Sequence, residues 1–219
     1  MKKSIITALV LAFGIWGCTN PGQHSLQAQL PKLSAESLAK LEQATFAGGC
    51  FWCTEAVFER VIGVEDVVSG YSGGNANDAN YKKVSYGLTE HAECVQIYFD
   101  PEVISYGDLV KIFMGTHDPT TLNRQGPDVG AQYRSEIFYH NDMQKTEAEG
   151  YIKKLEASGK YKDPIVTKVS AYQDFYPAED YHQDYYRLNP NQPYIVAVAK
   201  PKVVKFKKQF SEHDKEQAN

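Results

Sequence analysis

A chain of 219 residues, 42% hydrophobic and 12% aromatic, has enough apolar side chains for one ample core, which makes a single globular domain the first expectation. The formal charge of −4 is spread over residues of both signs, and lysines gather only near the C-terminus. No long basic stripe offers itself to a phosphate backbone, so a nucleic-acid partner is excluded.

Met1-Lys2-Lys3 and the apolar stretch Ile5 to Trp16 give the basic and hydrophobic regions of an export signal, too short to span a bilayer. Ile15-Trp16-Gly17-Cys18 resembles a bacterial lipobox. Residues 1–17 are then a lipoprotein-type signal peptide and Cys18 the lipidated first residue of the mature chain. Trp16 stands where a small residue is usual, and a plain signal cut further along, for instance after Ala28, is the alternative. Residues 18–41, rich in Gln, Ser, Asn and Pro, form a tether, so the expected location is outside the cytoplasm, on a membrane anchor facing the periplasm or cell exterior. A domain over 42–199 and a charged C-terminal tail or helix over 200–219 complete the organisation.

Setting Cys18 aside leaves Cys50, Cys53 and Cys94. An odd thiol and a pair only two residues apart make a poor staple, because so small a loop removes little unfolded-state entropy. A redox or metal role fits the three better.

Ser34 and Ser37 precede a charged helical stretch, and Ala44 to Ala47 reads as a strand entering the turn Gly48-Gly49. Phe51 to Ile62 follows with a helical face of Val57, Phe58, Val61 and Ile62, stopped by Gly63. Val64 to Tyr71 is a strand, and Gly73 to Asn80 a loop of residues that tolerate unusual backbone angles. In Cys94 to Phe99 the residues Val95, Ile97 and Phe99 alternate with Gln96 and Tyr98, the pattern of a half-buried strand. Ser105-Tyr106-Gly107-Asp108 resembles a capping box for a helix that carries Leu109, Ile112 and Phe113 and stops near Gly115. His117 to Arg134 is polar and irregular, a length of loop that in a compact domain is usually functional. Ser135 to His140 is a strand, Asp142 to Ser158 an exposed helix, and Ile165 to Ala171 a strand again. Phe175 to Arg187 groups four tyrosines around Glu179, Asp180 and His182, with Pro177 suited to an early helix position. From Lys200 a surface helix presents lysines to solvent. Strands and helices interleave without long βαβ units, which predicts an α+β two-layer sandwich with helices packed on a mixed β-sheet.

The chemistry concentrates in Gly48-Gly49-Cys50-Phe51-Trp52-Cys53, where a strand turns into a helix. A cysteine at a helix N-terminus faces unpaired N–H groups and the positive end of the macrodipole, which favours a Cys50 thiolate.

Gly49-Cys50-Phe51-Trp52 resembles the signature of the A-type peptide methionine sulfoxide reductases. The likeness extends from about Ala44 to Pro193 through Gly70-Tyr71-Ser72-Gly73-Gly74, Tyr81-Lys82-Lys83-Val84, His91-Ala92-Glu93, His117-Asp118-Pro119, Arg124 to Gly130, Gln132-Tyr133-Arg134-Ser135 and Ala178 to Gln183. The resemblance implies a ferredoxin-like fold, and reduction of methionine-S-sulfoxide, free or in oxidised proteins and peptides, to methionine. It also implies Cys50 as nucleophile, Glu93 as proton donor, Tyr81 and Tyr133 as donors to the sulfoxide oxygen, and Phe51, Trp52 and Asp128 as substrate-binding residues. No bound cofactor or metal is implied, and thioredoxin or another dithiol is the reductant. Many relatives place a recycling cysteine near the C-terminus, but no cysteine follows Cys94 here. Cys53 becomes the candidate resolving residue, able to condense with a Cys50 sulfenic acid.

Rival readings are a thioredoxin-like thiol-disulfide oxidoreductase built on Cys-x-x-Cys, a zinc module using Cys50, Cys53, His91 and Cys94, and a non-enzymatic exported binding protein. None of them accounts for the downstream blocks.

Overall fold

The computed structural model describes residues 33–217. The expected signal peptide, Cys18 and the first part of the tether lie outside the described residues. In chain order the elements are α1 (Ala35–Leu38), β1 (Glu42–Gly48), α2 (Phe51–Phe58), β2 (Val64–Ser72), α3 (Tyr81–Ser85), β3 (Ala92–Phe99) and α4 (Tyr106–Thr116). A minute hairpin, β4 (Arg124–Gln125) and β5 (Asp128–Val129), precedes β6 (Ser135–Tyr139), α5 (Asp142–Ala157), β7 (Lys168–Ala171), β8 (Phe175–Pro177) and α6 (Tyr185–Leu188). A π-helical turn over Ile195–Ala199 runs directly into α7 (Lys200–Gln209).

Six strands form one sheet in the order β7-β6-β1-β3-β2-β8, in which only β6 and β7 are parallel. Its centre, built from β1-α2-β2-β3-α4-β6 with sheet order β6-β1-β3-β2, is the ferredoxin-like arrangement. The helix α5 supplies the crossover that the parallel β6–β7 pair requires. The expected mixed sheet with packed helices is therefore the observed fold.

Local chemistry sets the element ends. Ser105 Oγ accepts from Asp108 N–H at 3.1 Å and starts α4, while Asn141 Oδ1 accepts from Gln144 N–H at 2.9 Å and starts α5. The α4 stripe of Leu109, Ile112 and Phe113 is fully buried, and the Phe113 ring stacks on Phe46 of β1 with centroids 4.8 Å apart. Helix α2 departs from amphipathic expectation, for every residue from Phe51 to Phe58 except Trp52 is buried. It is a core helix, covered by the sheet on one side and by α7 on the other.

Several expectations need correction. Helix α2 ends at Phe58 instead of Ile62, because the next residues pair with the C-terminal segment: Val61 bridges Asp214, and Ile62 N–H donates to His213 O at 2.8 Å. Strand β3 is buried at all eight positions, not half-buried, since it lies centrally and its second face is covered by Phe138, Tyr172 and Phe175. On that face Tyr98 O–H donates to Gln96 and Gln96 donates to Tyr172, which satisfies the polar members. The strand expected from Ile165 begins only at Lys168. Pro177 closes the edge strand β8, where its missing N–H costs no ladder bond, and does not start a helix. Finally, α7 is no solvated appendage, because Val203 and Phe206 are buried in the main core.

Candidate active site

Strand β1 delivers the chain to Gly49, whose φ of +92° admits glycine at low cost; a Cβ there would lie 2.6 Å from Cβ and Cγ of Gln125. The turn places Cys50 at the N-cap of α2, with Cys53 N–H donating to Cys50 O at 3.1 Å. The next free N–H, of Phe51, donates to Glu93 Oε2 at 3.2 Å. A carboxyl group from the central strand thus meets the first turn of the helix beside the cysteine. Period-two alternation explains its orientation: Glu93 shares a strand face with Val95, Ile97 and Phe99, which belong to the helix-covered core. Cys94 faces the opposite side, in a small cluster with Ala47, Ala92 and Phe138, and its Sγ donates to Gly70 O.

Glu93 is 1% exposed, and that burial pushes its carboxyl up to about 8 against the opposing pull of the Phe51 N–H. The group is an acid at neutral pH. The thiols behave differently from expectation. Cys50 is also buried, and desolvation together with its hydrogen bond to Cys53 raises it well above an ordinary thiol. Cys53 accepts that hydrogen bond and is lowered to about 7, with help from Lys202 and the Tyr194 hydroxyl. Of the two thiols Cys53 is therefore the more acidic, and a proton shared between them is held preferentially by Cys50. A resting Cys50 thiolate is thus not what the geometry provides, because burial at the N-cap outweighs the macrodipole.

Around this buried floor stands a half-buried polar rim. Tyr81 is set by Glu179, whose Oε1 accepts from Tyr81 N–H while Oε2 accepts from the Tyr71 hydroxyl, both at 3.0 Å. Burial raises the Tyr81 phenol to about 12 and Tyr133 higher still, and both feel the charges of Glu93 and Cys50. Asp128, raised by partial burial, accepts from the Tyr194 hydroxyl at 2.6 Å, and that hydroxyl also contacts Cys53 Sγ at 3.9 Å. Trp52 stacks on Tyr185 at 3.8 Å, meets Tyr194 edge-on at 5.8 Å, and donates its indole N–H to His182 Nδ1 at 3.2 Å. Burial lowers His182 to about 4, so it is a neutral acceptor. The Phe51 ring is 1% exposed among Tyr71 and His182, behind Trp52 and not at the open surface.

The fold thus brings together Cys50, Cys53, Glu93, Tyr81, Tyr133, Asp128 and Trp52. The four residues of the zinc reading do not converge: His91 Nε2 bonds Asn75 O at 2.9 Å, and Cys94 points through the sheet. Among the described residues no group of potential ligands is arranged for a metal ion. Sequence reasoning missed Tyr194, Lys202 and the anchoring role of Glu179, since their positions depend on long-range packing. Only Asn80, whose side chain caps α3 by accepting from Lys83 N–H at 3.0 Å, offered a local signal for the short helix that carries Tyr81.

The profile of the family described as peptide methionine sulfoxide reductase matches residues 42–215. A peptide methionine sulfoxide reductase from Rhodopirellula baltica is 57% identical over 78% of this chain and 88% of its own length. Another, from Leptospira borgpetersenii, is 56% identical over 77% and 94% respectively. Among solved structures, reduced Mxr1 from Saccharomyces cerevisiae superposes with a TM-score of 0.66 at 36% identity, covering 76% of this chain and 94% of that one. The chain belongs to the A-type peptide methionine sulfoxide reductases, enzymes that reduce methionine-S-sulfoxide to methionine at the expense of thiols.

Proposed function

We propose that Cys50 is the nucleophile, Glu93 the proton donor and Cys53 the resolving residue of this reductase. The observation that carries the assignment is the buried Glu93 carboxyl, which accepts from Phe51 N–H at 3.2 Å at the head of α2, one residue after Cys50, where burial favours its protonated form. Transfer of the shared proton from Cys50 to Cys53 leaves Cys50 as the thiolate that attacks the sulfoxide sulfur. Glu93 gives its proton to the oxygen, Tyr81 and Tyr133 donate hydrogen bonds to it, and Trp52, backed by Phe51, walls the methyl group. Oxygen passes to Cys50 as a sulfenic acid and methionine departs. Cys53 then attacks that sulfur, an S–S bond replaces the S–O bond, and water leaves. Two electrons from thioredoxin or a similar dithiol restore the pair, and no bound cofactor is needed. Asp128 orients Tyr194 at the rim.

The substrates are oxidised proteins and peptides as well as free methionine sulfoxide. The basic and apolar N-terminus, the lipobox-like Cys18 and the polar segment after it support export and attachment to a membrane surface, where exposed methionines of neighbouring proteins are repaired.

A steady-state assay with separate S and R sulfoxides and dithiothreitol tests the assignment. Wild type should turn over only the S epimer, and Cys50→Ser should keep its fold and lose turnover. Activity on R, or a Cys50→Ser enzyme that still cycles, contradicts it.

A further inference from the structure

Lys202 reaches the thiol pair from the far end of the chain. It is the third residue of α7, and the buried Val203 and Phe206 fix the rotation of that helix so that Lys202 points at the glycine turn. Its Nζ is closed off from solvent, has no hydrogen-bond partner among the described residues, and lies 3.8 Å from where a Cβ on Gly49 would be. A buried ammonium without a partner is costly unless negative charge is close by. Two acidic groups feel it, Asp128 and Cys53. Asp128 already receives the Tyr194 hydroxyl at 2.6 Å, whereas Cys53 has only the long Tyr194 contact of 3.9 Å and the Cys50 thiol. The second of these disappears once Cys50 has been oxidised.

We propose that Lys202 is a positioning residue for disulfide formation, its ammonium holding Cys53 as the thiolate that attacks the Cys50 sulfenic acid. The proposal rests on the reading of Cys53 as resolving residue. In the step itself Cys53 sulfur bonds to Cys50 sulfur, the S–O bond breaks, and the departing hydroxide takes up a proton as water. Thiol and sulfenic acid together are converted into disulfide and water with no outside oxidant. The groups that face Cys53 are Cys50 on its own helix, the Tyr194 hydroxyl before the π turn, Asp128 from the hairpin, Glu93 from β3 and Lys202 from α7. Lys202 is the one cation of that set. Without it, only the long Tyr194 contact is left to set against repulsion of the Cys53 anion by Asp128 after Cys50 has been oxidised.

The test is a single turnover with methionine-S-sulfoxide in the absence of reductant, across a pH series, on wild type, Lys202→Met, Lys202→Gln and Lys202→Arg. Methionine release reports the first step, and peptide mapping of quenched samples reports the Cys50–Cys53 disulfide. Both neutral variants should move the midpoint of the disulfide-formation profile up by about one pH unit or more, which slows the step about tenfold near neutrality, and Lys202→Arg should restore it. An unmoved midpoint overturns the role of Lys202 while leaving Cys53 as resolving residue. So does a loss confined to methionine release, which places Lys202 with Asp128 at the substrate. If wild type forms no Cys50–Cys53 disulfide at all, the resolving assignment falls and takes this proposal with it.

Discussion

Glu93 shows how a single position acquires its chemistry from its neighbours. A glutamate on an open strand titrates near 4.5; here desolvation moves it to about 8. Glu93→Gln preserves an acceptor for Phe51 N–H but has no proton to give. Its kcat/KM for the S epimer should fall by roughly 10²–10⁴. The wild-type rate should decline as pH rises through about 8, and that limb should be missing from the residual activity of the variant; pH–rate profiles of both proteins check this. The strand-to-helix turn that holds Cys50 and the apolar strand that holds Glu93 were legible in the sequence because each lies in a short ordered block. The greater acidity of Cys53 was not, since it follows from burial of both thiols and their mutual hydrogen bond, aided by Lys202 and the Tyr194 hydroxyl, and tertiary packing alone delivers that surrounding.

Helix α2 carries a second buried carboxyl, Glu55, which is 1% exposed and accepts from the Ser69 hydroxyl at 3.0 Å. Desolvation, reinforced by the charge of Glu59, raises it to about 8. Since the folded value lies above the ordinary one, the stability associated with neutral Glu55 is fully present below about pH 4.5 and is lost as pH climbs through about 8. Each unit corresponds to about 1.4 kcal/mol, which makes the swing on the order of a few kcal/mol. Glu55→Gln should therefore match wild type in thermal melts near pH 5 and melt higher near pH 9. A gap that fails to widen with pH refutes the argument. Periodicity alone gave the start of this helix and the existence of β3, α4 and α5. It misjudged the end of α2 and the exposure of β3, because backbone pairing with residues near 214 and cover from Tyr172 and Phe175 are non-local facts.

At the scale of the molecule, the C-terminal segment closes the structure. Val61 bridges Asp214, Lys215 N–H donates to Arg60 O at 2.9 Å, and Phe206 is fully buried against the core that backs α2. Phe206→Ala should lower the free energy of unfolding by about 3–5 kcal/mol in urea titrations, with an unchanged slope if unfolding stays two-state. The sandwich architecture was legible from the interleaved strand and helix patterns, and the ferredoxin-like strand order from the resemblance. The contribution of α7 was not, because four lysines between Lys202 and Lys208 mask two core residues. The acid, finally, is anchored in β3, paired with Tyr71 of β2 at Glu93 itself and with β1 from Val95 onward. No lid can open and carry Glu93 away while the rest of the sheet survives. Heat or denaturant should consequently extinguish turnover and far-ultraviolet ellipticity along one superimposable curve, which would let a simple colorimetric assay stand in for a spectropolarimeter in following how this enzyme ages.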